Sequence, residues 1–176
     1  MKSVLISAGH SESDPGAVGN GYKEAVLAEK MRDRIFDYLN NRGVTVVRDG
    51  TDGINDPLNK AIKLAKTVDL AIEIHFNAGS PSATGIEALC HINKKVEAQK
   101  LCAAVASSLK LKLRGDRGWK DPSSGQHHRL GFCEAGGIIL EVCFISNSQD
   151  MNWYVSRKEE VAKYVANTIL LLASEK

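Results

Sequence analysis

The sequence predicts an α/β fold: a single three-layer domain with a mostly parallel, twisted sheet of about five or six strands and helices on both faces. Short β-branched runs alternate along the chain with segments whose apolar residues recur at helical spacing. The 176 residues are 43% hydrophobic and 25% charged, which is typical of one globular domain. We therefore expect residues 1–176 to form one domain.

The predicted strands are short runs rich in β-branched residues, each bounded by Gly, Asp, Asn or Pro. They are Lys2–Ala8, Val44–Val47, Val68–Ile74, Gly85–His91 and Gly136–Val142. Because helical patterns lie between them, the strands are expected to run mainly parallel, with both faces of the sheet covered.

Four segments have a helical apolar stripe. The first, Tyr22–Arg42, ends before Gly43, a residue that favours a helix stop. The second begins at Asn55–Pro57, where capping residues precede a proline suited to the first helical position. The third covers about Lys95–Leu113. The last is predicted to begin at Ser156–Glu159, which has the pattern of a capping box.

Two long polar loops interrupt this alternation, Gly9–Gly21 and Gly115–Gly131. Loops of this length inside a small domain are usually functional or disordered. The first follows directly on the first predicted strand and leads into the first helix. It is therefore expected to lie near any site at that end of the sheet.

Composition excludes several classes of protein. A net charge of +2 is too small to indicate a nucleic-acid partner, and no apolar run is long enough to insert into a membrane. The first apolar run is too short for a signal peptide, so synthesis in the cytoplasm is expected. The 4 cysteines form no C-x-x-C pair and are predicted to be free thiols.

The oligomeric state is unknown from the sequence, and a monomer is favoured.

Residues able to bind a metal or transfer protons lie where the predicted strands end. His10 follows the first strand, His75 follows the third, and Glu141 ends the run from Gly137 to Leu140. Ligands of open α/β sheets bind beyond the carboxyl ends of the strands. These side chains are therefore expected to converge, although a lone core histidine or a salt-bridged strand-end glutamate would be the simpler interpretation of each alone.

Glu24 lies on the sheet-facing stripe of the first predicted helix. A carboxylate on that face must be paired, protonated or bound to a cation. The alternative is an acid placed favourably in the first turn of a helix. With His10 and His75 it completes a His₂Glu set, the composition of a catalytic zinc site, although Mn²⁺ or Co²⁺ could also bind it. Glu141 would then be the general base.

Three segments resemble motifs of the zinc-dependent N-acetylmuramoyl-L-alanine amidases of the amidase 3 type. Ser7–Glu24 is similar to the opening motif of that family, Glu73–Ala78 to its second histidine motif, and Ile139–Asn147 to its catalytic glutamate motif. The motifs occur in the family's order and span nearly the whole chain. The resemblance implies Zn²⁺ bound by His10, Glu24 and His75, with Glu141 as the catalytic acid and base.

The resemblance further implies a peptidoglycan (muropeptide) substrate, cut at the amide between N-acetylmuramic acid and the L-alanine of the stem peptide. Because no signal peptide or separate cell-wall-binding domain is recognised, a phage or prophage endolysin that reaches the wall after release is expected, and the catalytic domain of a larger cell-wall hydrolase is the alternative origin. The alternatives are a zinc exopeptidase or deacylase on a related scaffold, and a wall-binding module without catalysis.

The chain departs from the family's usual motifs at two positions. Ser11 stands where the family usually has Gly, and Glu73 where it usually has Ser. Glu73 is expected on the same strand face as His75, either beside the metal ligands or along the rim.

For several further residues the sequence allows more than one role or only a general one. Trp119 is expected either to stack on a sugar or to cover a core edge, and Cys143 to pack in the core. His127 and His128 are interpreted as solvent-facing or substrate-covering residues, and Arg129 as a possible contact for a stem-peptide carboxylate.

Overall fold

The computed structural model describes residues 1–50, 54–124 and 130–175. Strands in these ranges are β1 (Val4–Ala8), β2 (Val18–Gly19), β3 (Tyr22–Lys23), β4 (Val46–Arg48), β5 (Leu70–Asn77), β6 (Glu87–Leu89), β7 (Trp119–Lys120) and β8 (Ile138–Phe144). The α-helices are α1 (Glu24–Asn40), α2 (Leu58–Ala65), α3 (Lys95–Leu109), α4 (Gly131–Glu134) and α5 (Ser148–Ser174).

The main sheet has six strands in the order β4-β1-β5-β8-β6-β7. Every neighbouring pair is parallel except β6 and β8, which confirms the mostly parallel sheet. No helix lies between β5 and β6 that could return the chain to the end of the sheet at which β5 begins. β6 therefore starts at the end of the sheet where β5 finishes, and it runs antiparallel to its neighbour β8. β2 and β3 form a separate hairpin.

Helices cover both faces of the sheet, as predicted. The long helices α1, α3 and α5 pack on one face around the larger core, and α2 and α4 pack on the other face around a smaller one. Successive residues of β1 show the alternation, since Leu5 belongs to the smaller core and Ile6 to the larger. None of the helices in the described ranges has the length and hydropathy needed to cross a membrane.

Two strands are longer than the sequence pattern indicates. β5 continues to Asn77 and β8 to Phe144, so that His75 lies within β5 rather than beyond its end, and Glu141 lies three residues before the end of β8. The pairing register of these strands shifts after His75, and Asn77 pairs with Phe144. His75 and Glu141 are direct partners just before this shift.

The predicted start of the last helix is wrong. α5 begins at Ser148, and the Asn147 side chain caps it by accepting hydrogen bonds from the backbone amides of Gln149 (2.9 Å) and Asp150 (3.1 Å). Ser156 lies inside the helix, where its hydroxyl donates to the carbonyl of Asn152 at 2.9 Å. The resemblance to a capping box arises because this exposed turn is rich in polar residues.

The second predicted loop contains regular structure in the described residues 115–124. It contains β7 and a 3₁₀ turn over Pro122–Ser124. Preceding it, α3 ends at Leu109, four residues earlier than predicted, because Lys110 adopts a positive φ of 57° that terminates the helix.

Candidate metal centre

His10 is held by the backbone and side chains of the first loop. Its φ of 67° lies in the left-handed region, which few residues other than glycine adopt. The buried side-chain amide of Asn55 supports this conformation by donating to the carbonyls of Ala8 (2.6 Å) and His10 (2.5 Å). The ring Nδ1 donates to a carboxylate oxygen of Asp14 at 2.9 Å. These contacts turn Nε2 of His10 toward α1.

Glu24 is the first residue of α1 and is only 4% exposed. One carboxylate oxygen lies 3.1 Å from Nε2 of His10, and the other lies 3.0 Å from Nδ1 of His75. The same oxygens accept hydrogen bonds from the amides of Ala17 (2.9 Å) and Phe76 (3.0 Å). Burial alone would raise the pKa of Glu24, but its hydrogen bonds with the two histidines hold that pKa well below the usual range.

The imidazole of His75 is enclosed on several sides. Nδ1 faces Glu24, and Nε2 lies 2.9 Å from a carboxylate oxygen of Glu73. The ring of His10 packs edge-on against it, with the centroids 5.1 Å apart. Gly9 leaves the necessary space, because a Cβ at that position would overlap the ring. Burial lowers the pKa of His75, but the two carboxylates outweigh it and raise the pKa well above its ordinary value.

Glu141 lies on β8 beside this cluster. It pairs in register with His75 on one side and with Glu87 on the other. The carboxylate of Glu87 is neutralised by Arg114 and by Lys120, whose Nζ lies 2.9 Å away. In contrast, Oε2 of Glu141 is shielded from solvent and has no hydrogen-bond partner among the described residues. Desolvation raises the pKa of Glu141 to about 7.

These residues share one cleft at the edge of the sheet. His10, Glu24, His75, Glu87 and Glu141 all line a cavity of about 490 Å³, together with apolar residues such as Leu89, Leu130 and Ile139. The volume is within the range of small-molecule sites. A second cavity of about 310 Å³ is also lined by His10 and His75, together with Glu73. The cleft therefore presents a carboxylate oxygen, Oε2 of Glu141, that no described residue hydrogen-bonds, next to two imidazoles.

The donor set fits zinc. In the described ranges, His10, Glu24 and His75 are the one group of three or more potential ligands whose offered atoms all lie within 4.8 Å of one another. Two imidazoles and one carboxylate are the protein ligands of many catalytic zinc sites. Each histidine also bonds a carboxylate through its other nitrogen, as zinc-binding histidines usually do.

Comparison with known proteins identifies the family. The sequence model of the amidase 3 family, described as N-acetylmuramoyl-L-alanine amidase, matches residues 4–170. This chain belongs to that family. Membership confirms the enzyme class expected from the sequence, an amidase that acts on the peptidoglycan of the cell wall.

Individual relatives agree with this assignment. A crystal structure from Neisseria meningitidis, provisionally an N-acetylmuramoyl-L-alanine amidase, has a TM-score of 0.90 and 42% identity, over 97% of this chain and 95% of that one. The catalytic domain of the amidase CwlV from Bacillus (Paenibacillus) polymyxa has a TM-score of 0.81 and 25% identity, over the full length of both. The uncharacterised protein YqiI of Bacillus subtilis is 30% identical over 96% of this chain and 82% of its own length.

The remaining residues of interest divide into two groups. In this amidase, Trp119 covers a core edge, since it is half-buried and its indole nitrogen donates to the carbonyl of Cys90 at 2.9 Å. Cys143 is fully buried in the larger core, as expected. The interpretations of His127, His128 and Arg129 fall outside the described residues.

Sequence reasoning missed the residues that orient the two imidazoles. Asp14 and Asn55 hold His10, and Gly9 makes room for His75. Asp14 lies four residues after His10 in a loop with no periodicity, so its spacing carries no signal. The structure also decides the position of Glu73, which bonds His75 rather than pointing along the rim.

Proposed function

We propose that this amidase hydrolyses the bond between N-acetylmuramic acid and the first L-alanine of the stem peptide by means of zinc-activated water. In this proposal His10, Glu24 and His75 hold the zinc, and Glu141 is the general base and then the general acid. The observation that carries the proposal is the desolvated Oε2 of Glu141, which has no hydrogen-bond partner in the described ranges and lies beside a compact His₂Glu cluster.

When bound, zinc would supply a Lewis acid that polarises the amide carbonyl and lowers the pKa of a water. The protein contributes the geometry. Asp14 and Glu73 each accept a hydrogen bond from one ring nitrogen, so that the other nitrogen of each histidine is directed at Glu24. Glu24 accepts two backbone hydrogen bonds, which fix the position of its carboxylate between the two imidazoles.

Glu141 moves the proton that the reaction requires. Its carboxylate takes a proton from the attacking water while the new C–O bond forms at the amide carbon. It then delivers this proton to the alanine nitrogen as the C–N bond breaks, which leaves a lactyl carboxylate and a free amino terminus. A strand position fixes the carboxylate, and no described side chain competes for Oε2.

The decisive experiment combines a substitution at Glu141 with analysis of products from purified sacculi. The wild-type protein should release intact stem peptides that carry a new L-alanine amino terminus. Glu141→Gln should lower this rate by about 10²–10⁴-fold, the usual contribution of a general acid–base group, while binding one zinc per chain. Glu134→Gln is a matched control, because that glutamate is exposed on α4 and should leave the rate unchanged.

Three outcomes would contradict the proposal. An unchanged rate in Glu141→Gln would remove its general-base role. Loss of zinc from the same variant would show that Glu141 is a ligand instead. Release of single amino acids rather than whole stem peptides would favour the exopeptidase alternative. The expected origin of the chain, a phage or prophage endolysin, stays a prediction.

A further inference from the structure

We propose that Glu73 is a positioning residue that holds the imidazole of His75 in the orientation and tautomer needed to bind the metal. The inference rests on the proposed function, because it takes His75 as a zinc ligand. The carboxylate of Glu73 does not belong to the His₂Glu set. The inference is based on the contact between this carboxylate and Nε2 of His75, the ring nitrogen that does not face Glu24.

The contact between Glu73 and His75 follows from the strand. The two residues are separated by one position on β5, so their side chains leave the same face. A carboxylate oxygen of Glu73 lies 2.9 Å from Nε2 of His75, while Nδ1 of the same ring lies 3.0 Å from Glu24. The imidazole is thus held at both nitrogens, and only Nδ1 faces the other potential ligands.

The burial of Glu73 indicates that its contact with His75 is its main interaction. Its side chain is 3% exposed, and a carboxylate so placed requires a partner. Among the residues that the structure describes, Nε2 of His75 is the hydrogen-bond partner found for it. The cavity on this side is otherwise lined largely by apolar residues, including Leu58, Leu130 and Phe132. Within the described part of the chain, the contact with His75 is therefore the bond that accounts for the burial of this carboxylate.

The chemical consequence is a fixed tautomer. An ionised carboxylate can only accept, so Nε2 must carry the proton and Nδ1 keeps its lone pair for a metal. A carboxylate that accepts from the distal nitrogen also raises the basicity of the ligating one. The ring cannot tilt away on its other side, since the backbone at Gly9 lies against it.

Each of the two histidines of the centre lies between two carboxylates, and the outer carboxylates differ in burial. Both share Glu24, and each has a carboxylate of its own: Asp14 for His10 and Glu73 for His75. The Asp14 side chain is 65% exposed, whereas that of Glu73 is 3% exposed. Solvent screens the first contact far more than the second. Glu73 is therefore expected to be the stronger of the two orienting groups.

The test measures zinc affinity, by competition with a chromogenic chelator, for the wild type, Glu73→Gln and Glu73→Ala. Loss of such an orienting carboxylate typically weakens metal binding by about 10–100-fold, which is expected for Glu73→Ala. Glu73→Gln, which keeps the shape and can still accept a hydrogen bond, should lose affinity by a smaller factor, though more than twofold. Glu12→Ala, at an exposed acid of the first loop, is the control for charge removal and should bind as the wild type does.

A second readout reports the ring itself. In ¹⁵N-histidine spectra of the zinc-loaded protein, the Nε2–H proton of His75 should be visible and slow to exchange, and Glu73→Ala should abolish this signal. Wild-type protein that binds no zinc would refute the proposed function. Wild-type protein that binds zinc, with both Glu73 variants within twofold of it, would overturn the present inference alone. If Glu73→Ala does not fold, Glu73→Gln decides the question by the same threshold.

Discussion

At the residue scale, the proposed metal centre depends on glycines that leave room for its ligands. Gly16 has a φ of +64°, and a Cβ there would lie 2.6 Å from Cδ2 of His10 and 2.7 Å from Oε2 of Glu24. Gly43 has a similar φ of +71°, but a Cβ there would meet nothing within 4 Å. The two glycines thus share the same backbone requirement, and only the first also borders the site.

This contrast gives a paired prediction. Gly43→Ala should lower the free energy of unfolding by about 1–2 kcal/mol, the cost of a left-handed non-glycine residue, with activity per folded molecule unchanged. Gly16→Ala should have the same strain and, in addition, displace two proposed ligands, so zinc affinity should fall by at least about 10-fold. Urea unfolding and chelator competition measure the two effects separately. Equal zinc affinity in both variants would contradict the packing argument.

The site residues that the sequence predicts are those on strands and helices, whereas those whose contacts depend on the loop conformation are not predicted. His10, His75 and Glu141 were found because strand ends meet at one edge of a parallel sheet, and Glu24 because helical spacing places it on the buried stripe. Asp14 and Asn55 were not found, since their contacts depend on a positive φ at His10 that no local pattern encodes.

At the element scale, the start of α5 is set by one side chain. Asn147 accepts from two amides of the first turn, and its own amide donates to the carbonyl of Ala83 at 3.0 Å. Asn147→Ala should therefore reduce the free energy of unfolding by about 0.5–2 kcal/mol, the usual cost of losing an N-cap. Ser156→Ala is the matched control. It lies in an exposed helical interior, where alanine is favourable, and should change stability by less than about 0.5 kcal/mol.

Denaturant unfolding monitored by far-ultraviolet circular dichroism tests this pair. A loss of stability in Ser156→Ala but not in Asn147→Ala would restore the helix start that the sequence pattern indicates. The same element shows why that pattern misleads. In residues 148–155 only Met151 and Tyr154 are buried apolar residues, whereas Val155 is exposed and Trp153 only partly buried, so the apolar residues there do not mark one helical face without the core on which the helix packs.

At the scale of the whole molecule, alternation of strands and helices was enough to predict three layers, because each amphipathic element must cover the sheet on one face or the other. The reversed direction of β6 was not predictable, since it depends on the absence of a crossover helix after β5 rather than on any residue in β6. Nor was the shift in register near His75, which moves Cys143 into the larger core.

The cysteines allow the single-domain proposal to be tested. All four described thiols are free and buried, and burial raises the pKa of Cys90 and Cys133 to about 12. Cys133 lies in the smaller core, whereas Cys90, Cys102 and Cys143 lie in the larger one. Native protein should therefore react slowly with a thiol reagent, because reaction requires unfolding of the layer that shields each sulfur.

If residues 1–176 form one cooperative domain, all four thiols should become reactive over the same range of denaturant as the loss of helical signal. Pulsed alkylation followed by peptide mass spectrometry assigns the reactivity to each cysteine, with zinc removed beforehand so that it does not bind the unfolded thiolates. Labelling of Cys133 at distinctly lower denaturant than the other three would show that the layer of α2 and α4 unfolds separately. In that case the cleft would border a layer that unfolds before the rest of the protein, since Leu130 and Ile139 line it from the side of the smaller core.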